Sequence, residues 1–251
     1  MPLPEYEITI EGESALIATT DELVVALDVL QGNHDRAVLE QLRPHLPGLV
    51  DAPRGLMALL RVLAPDDQLL LIECLGDTLP ATVQRATALR DIMAMLAEEK
   101  VEEALLQTLG TKGLRGLIET PEQFAEVLQW VYGQCDALAL DLLGAEFLRD
   151  LLETGQEISL ALTALETSSQ QKLLEALGWN HVTEALHDER DVRYLLQTLP
   201  CELSRKLLEA IPPTRLRQLV KGERDWRAVE PFLEASEREL LRSRLEAADA
   251  Q

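Results

Sequence analysis

Four histidines, three cysteines and several adjacent carboxylates are the side chains of this chain best suited to chemistry. His181 and His187, with Asp188 and Cys201 nearby, are of the types that ligate zinc. A six-residue step, however, does not place both imidazoles on one face of a helix, so solvated or capping roles are expected and no metal. Asp66-Asp67, Glu98-Glu99 and Glu102-Glu103 suggest acid–base work. They fall at hydrophilic helix starts or connections, where like charges are solvated. Asp66 and Asp67, just after Pro65, suit a first helical turn. His34 lies in Gln31-Gly32-Asn33-His34-Asp35, which reads as a turn. No glycine-rich phosphate loop, nucleophile elbow or Cys-x-x-Cys pair occurs. Cys74, Cys135 and Cys201 are an odd number at unrelated positions and read as free thiols of a reducing compartment. No catalytic residue and no cofactor is expected.

The elements that would position any such group are set by a period. Gly76, Gly110, Gly144 and Gly178 recur at one constant 34-residue step, and Pro212 and Glu246 continue it. A fixed step of this length marks one supersecondary unit repeated along the chain. The units run 43–76, 77–110, 111–144, 145–178, 179–212 and 213–246. A degenerate copy covers 10–42 after a one-residue shift, with Leu16-Ile17-Ala18-Thr19 matching Leu117-Ile118-Glu119-Thr120. The second unit slips by one residue, Leu89 taking the place expected at 90.

Each unit carries three apolar clusters with helical spacing. Leu114, Leu117 and Ile118 begin one unit. Phe124, Val127, Leu128 and Val131 follow, and the element Leu173-Leu174-Glu175-Ala176-Leu177-Gly178 shows the third. Thr120, Thr154, Asp188 and Gly222 recur as N-caps. Gln123, Glu157 and, after Thr19, Glu22 complete capping boxes. The recurring glycines suit helix ends with positive φ. This predicts an all-α, right-handed α-solenoid of about seven 34-residue units with roughly three short helices each. It would form one elongated domain over 1–251, with an N-terminal arm over 1–9 and a tail over 247–251. Only Glu5 to Glu11 alternates with a period of two, as a short strand or extended arm would.

The net charge is −21, unevenly spread. Residues 1–42 hold nine acids against one base, 111–178 eleven against four, and 213–246 seven against eight. Such a surface excludes direct nucleic-acid binding, which needs a basic footprint. It suits either solubility or the steering of a basic protein partner. No apolar run is long enough to span a membrane, and the acidic start does not resemble a signal peptide. Aromatic residues that break the repeat phase are the candidate partner-binding side chains: Trp130, Tyr132, Trp179 and Tyr194. Their counterparts in other units are small or polar, and aromatics of this kind anchor interfaces. Phe124 and Trp226 lie on the core phase and are excluded.

Leu173 to Gly178, Leu207-Leu208-Glu209-Ala210-Ile211-Pro212 and Gly144-Ala145-Glu146-Phe147-Leu148-Arg149-Asp150-Leu151-Leu152-Glu153-Thr154-Gly155 resemble the leucine-rich helical tandem repeats of secreted effectors of intracellular bacteria. They are similar, more loosely, to the helical superhelix that precedes bacterial magnesium-transporter pores. The resemblance spans about 110–212. The 34-residue period is shared with tetratricopeptide repeats, but their Trp-Leu-Gly-Tyr and Ala-Phe-Ala signature is absent. The effector resemblance implies delivery into a host cytosol and engagement of a host protein; without it a cytoplasmic protein is expected. The functional expectation is therefore a non-catalytic interaction scaffold or inhibitor with an acidic repeat surface. A nucleic-acid mimic that blocks a DNA- or RNA-binding protein is the alternative, and an enzyme the third reading.

Overall fold

A computed structural model describes residues 4–30, 32–96, 98–131 and 133–249. The chain is mostly helical, with a two-stranded antiparallel hairpin at its start, β1 (Tyr6–Ile10) and β2 (Glu13–Ile17). The helices are α1 (Thr20–Leu30), α2 (Asp35–Leu42), α3 (Leu46–Leu49), α4 (Pro53–Val62), α5 (Pro65–Leu75), α6 (Leu79–Val83), α7 (Ala86–Met93), α8 (Glu99–Leu117), α9 (Pro121–Leu128) and α10 (Gln134–Leu143). They continue as α11 (Ala145–Leu151), α12 (Gly155–Thr163), α13 (Thr167–Leu177), α14 (Trp179–Glu184), α15 (Glu189–Thr198), α16 (Cys201–Ala210), α17 (Pro213–Leu219), α18 (Glu223–Val229) and α19 (Ala235–Asp249). Among the described residues, no helix is long and apolar enough to cross a membrane. The chain divides into two compact parts, Met1–Ile118 with Trp130–Leu142, and Glu119–Gln129 with Leu143–Gln251.

The hairpin departs from expectation. The alternation over Glu5 to Glu11 does form β1, but Leu16 and Ile17, matched by sequence to the start of a helix, lie in β2. Glu11 (φ 52°) and Gly12 (φ 89°) make a two-residue turn with both φ values positive. That is the geometry whose twist suits antiparallel strands. Ile8 and Ile17 are buried on one face, and Tyr6 stacks on His45 at 4.1 Å between ring centroids.

Short helices have many unpaired end groups, because the first four N–H and last four C=O of each lack an internal partner. Here those groups are met by side chains in the 34-residue register. At helix starts, Thr120 Oγ1 accepts from Gln123 N, and Thr154 and Glu157 form a reciprocal box. Asp188 accepts from Arg190 N and Asp191 N. Thr19 and Glu22 make the same box at the start of α1. Four residues after each preceding N–H stands its acceptor: Gln123 for Glu119, Glu157 for Glu153, Asp191 for His187 and Asp225 for Lys221.

At helix ends a second register operates, which sequence reading missed. Gln68 Nε2 donates to the Leu60 and Leu63 carbonyls, and Gln170 Nε2, three periods later, to Leu162 and Leu165. Ser204 donates to Leu199 and Arg238 to Leu233 in the same place. At these four places a glutamine, serine or arginine ties the end of one helix to the next; the same position holds the carboxyl groups of Glu102 and Asp136 in between. Likewise His181 Nε2 donates to the Leu152 carbonyl at 2.8 Å and Arg215, one period on, to Leu186 at 2.6 Å.

Equivalent helices pack on one another within each part. In the first, α1 lies against α4 and α2 against α5, which packs on α8. In the second, α9, α12, α15 and α18 touch in series. Leu56, Leu59, Leu105, Leu106, Phe124, Leu162 and Leu195 on these helices are fully buried, as are Leu173 on α13 and Leu207 on α16. Each such side chain contributes roughly 1.5–3 kcal/mol.

The periodic glycines sit at the helix junctions. Gly178 alone separates α13 from α14, at φ 75° and ψ 142°, and Gly110 kinks α8 at φ 59° and ψ −177°. This region is almost closed to residues with a Cβ. Pro212 serves the same junction from φ −57° and ψ 142°. Gly178→Ala should therefore destabilise by about 1–3 kcal/mol in urea unfolding. Gly116→Ala, in ordinary helix with open space around it, should be neutral or stabilising by up to about 1 kcal/mol. Equal effects of the two substitutions would show that the junction imposes no backbone demand.

Candidate functional site

The four predicted aromatics do not form a described cluster. Trp130 follows the end of α9 and is exposed, while Val131 beside it is buried. Tyr132 lies outside the described residues. Trp179 is the first residue of α14 and is half-buried. Tyr194, on α15, is half-buried, and the Arg193 guanidinium lies 5.3 Å from its ring centroid. Its carbonyl accepts hydroxyl hydrogens from Ser159 and Thr198, both at 3.0 Å. Phe124 is fully buried as its phase predicts. Trp226 is instead half-buried, with the Arg242 guanidinium 5.0 Å from its ring, because α18 is the last helix of the α9–α12–α15 series.

The groups with potential for chemistry are tied into structure. His181 is bonded to Leu152, His45 is stacked on Tyr6, and His34 Nε2 lies 3.3 Å from Glu11. Asp191 is buried and bridges two helices: it accepts from Gln156 N at 3.2 Å and His187 N at 2.8 Å. It packs so closely on Gly155 that a Cβ there would meet the Asp191 Cβ at 2.6 Å. The pair Asp66-Asp67 opens α5 as expected, and Asp66 pairs with Lys100 at 2.7 Å.

All three thiols are free and held protonated. Burial, reinforced by Glu102, Glu99, Glu103 and Asp136, pushes Cys135 up to about 12. The hydrogen-bonded Glu234 carboxylate raises the exposed Cys201 to about 11. Neither is a nucleophile near neutrality. At the start of α2, Asp35 is fully buried. Burial and then the Asp67 charge raise its carboxyl above the ordinary range.

One surface was not anticipated. Between β2 and α1 runs a groove of about 810 Å³, lined by Ile10, Ala15, Leu16, Val25, Ala26 and Val29 among others. Leu16, Val25 and Val29 are 61%, 63% and 74% exposed, the highest values among the large hydrophobic side chains of the described residues. Glu11, Glu13, Asp21 and Glu22 rim it. The Ala18 and Thr19 N–H groups, with the Thr19 hydroxyl, hold the Glu22 carboxyl below its usual range. The signal was legible in α1: Leu23 and Leu27 already supply its buried stripe, so Val25 and Val29 are surplus to the core.

No family model and no curated protein matches this chain. One similar solved structure, from work described as "Computational Design of Self-Assembling Cyclic Protein Homooligomers", is 13% identical over 91% of this chain and 90% of that one, with a TM-score of 0.18. At that score it carries no argument about fold or function.

Two outcomes are expected. Alkylation of Cys201 should rise with pH toward a midpoint near 11, and Glu234→Gln should move that midpoint down; an unshifted midpoint removes the Glu234 contact as its cause. Because folding raises the Asp35 carboxyl, its penalty is absent below the unfolded value near 3.9 and grows as pH rises through the folded one. Asp35→Asn should therefore stabilise the protein more at neutral pH than at about pH 4. A gain independent of pH would assign the effect to packing.

Proposed function

We propose that the 34-residue units stack into a right-handed α-solenoid of about seven units, and that the chain is a non-catalytic protein-interaction scaffold whose acidic surface binds a basic partner. The observation that carries this reading is that the scarce positive charge is taken up within the structure: some cations pair with carboxylates, as Arg43 does with Glu73 and Arg205 with Glu209, and others bond helix-end carbonyls. Arg149 donates to the Ala176 and Leu177 carbonyls, Arg215 to Leu186, Arg238 to Leu233 and Arg244 to Ile211. Cations are favoured at these carbonyl-rich helix ends. The carboxylates are left to dominate the solvent face: Glu122 on α9, Glu146 and Asp150 on α11, Glu175 on α13 and Glu184 on α14 are exposed.

Carboxylates exposed on several helices give a negative field, which we read as that of a scaffold; a nucleic-acid mimic would set them at phosphate-like intervals along one face. Such a field raises encounter rates, up to about 10⁸–10⁹ M⁻¹s⁻¹ at low salt. Exposed Trp130 is suited to anchoring the contact. The effector resemblance extends the proposal to a host protein as partner.

Capture of partners by the full chain at about 0.05 and 0.5 M salt tests this, since the screening length shrinks severalfold across that range. Partners should carry basic surfaces, detach at the higher salt and be lost with Trp130→Ala plus Tyr132→Ala. Partners held equally at both salts and by both proteins would overturn the reading.

A further inference from the structure

We infer that the groove between β2 and α1 docks an extended segment of a partner, alternately basic and apolar, which adds to β2 as a third strand. The inference rests on the scaffold reading and gives it a site and a binding mode.

The hairpin's two edges differ. Next to a two-residue turn the closing pair, Ile10 and Glu13, exchanges hydrogen bonds, and such pairs alternate along the ladder. The Thr9–Ser14 and Glu7–Leu16 pairs therefore turn their N–H and C=O groups outward. On the β1 side the Gln41 amide meets both groups of Thr9: Thr9 N donates to Oε1 at 2.9 Å, and Nε2 donates to the Thr9 carbonyl at 3.0 Å. On the β2 side the sheet stops at two strands, with Ser14 and Leu16 bordering the groove. Natural sheets close or blunt their edges. Here one edge is closed by a dedicated side chain, and the other is left beside the most exposed valines of the chain.

The occupant follows from what each part requires. Outward N–H and C=O groups at alternate residues are matched by an extended backbone, as in strand addition; a helix would leave them unpaired. Alternate side chains of that strand, all on one of its faces, would reach the groove wall formed by Val25 and Val29. Glu11 is paired with His34 and Glu22 caps α1, which leaves the carboxylates of Glu13 and Asp21 in the groove lining to call for cations on the flanking positions. A second copy of this chain would bring the same carboxylates face to face on a molecule of net charge −21.

The test uses the full chain and two synthetic heptapeptides, Lys-Val-Lys-Val-Lys-Val-Lys and its counterpart with serine for valine, followed by fluorescence anisotropy. The valine peptide should bind at least about tenfold tighter and slow hydrogen exchange at the Ser14 and Leu16 amides. Val29→Lys, at an exposed helical site, should weaken it by at least about tenfold with an unchanged melting curve. Ser14→Pro, which removes an outward N–H that β1 does not use, should do the same. If the peptides bind equally, or neither variant matters, the groove is not the site, while the acidic scaffold stands. If neither peptide binds and no salt-sensitive partner is captured, both readings fail. A dimer in sedimentation that Val29→Lys abolishes would make a second copy the occupant and overturn the inference.

Discussion

Everything in this chain depends on satisfying the ends of helices that are only two or three turns long. A helix of that length has more orphan end groups than internal bonds. Isolated helices so short do not persist in water. The molecule meets this with side-chain acceptors for the incoming N–H groups and side-chain donors for the outgoing carbonyls, several of them set a multiple of 34 residues apart. Leucine burial drives association. The cap registers decide where each helix stops, and so which leucines can meet.

The same constraint shapes the electrostatics. Carboxylates are favoured at helix starts and cations at helix ends, and this chain has far more of the former. Asp188, Asp191 and Glu157 are absorbed at N-termini, while Arg149, Arg215 and Arg244 bond C-terminal carbonyls. The remaining acids have few cations to meet. The acidic surface is thus linked to the cap chemistry rather than laid over it.

What could be read from sequence was what acts locally. Thr154 and Glu157 make their box because they are three residues apart, and no distant neighbour is needed. The positive φ of Gly110 and Gly178 was legible for the same reason. The donor at Gln68, Gln170, Ser204 and Arg238 was not, because residue type varies there and only its place beside the preceding carbonyl is constant. The hairpin was hidden because Leu16 to Thr19 also fits the helical register; the Glu11-Gly12 turn decides against it. That Val25 and Val29 fall outside the Leu23–Leu27 stripe was legible; that they line a groove depends on where β2 lies, which their spacing does not reveal. Tyr194 shows the converse: off-phase in sequence, yet with Arg193 against its ring.

The single-residue junction at Gly178 has a consequence for how such a chain can change length. A residue inserted in a long loop is absorbed by slack. Here there is no slack to absorb it, and the following helix would be displaced. Trp179, His181 and Val182 would leave their places, and the His181–Leu152 bond would have no counterpart. A whole period preserves every register, because each cap then finds its partner again. A change of length at this junction is therefore tolerated only in steps that keep α13 and α14 in the same phase, and a single residue is not such a step.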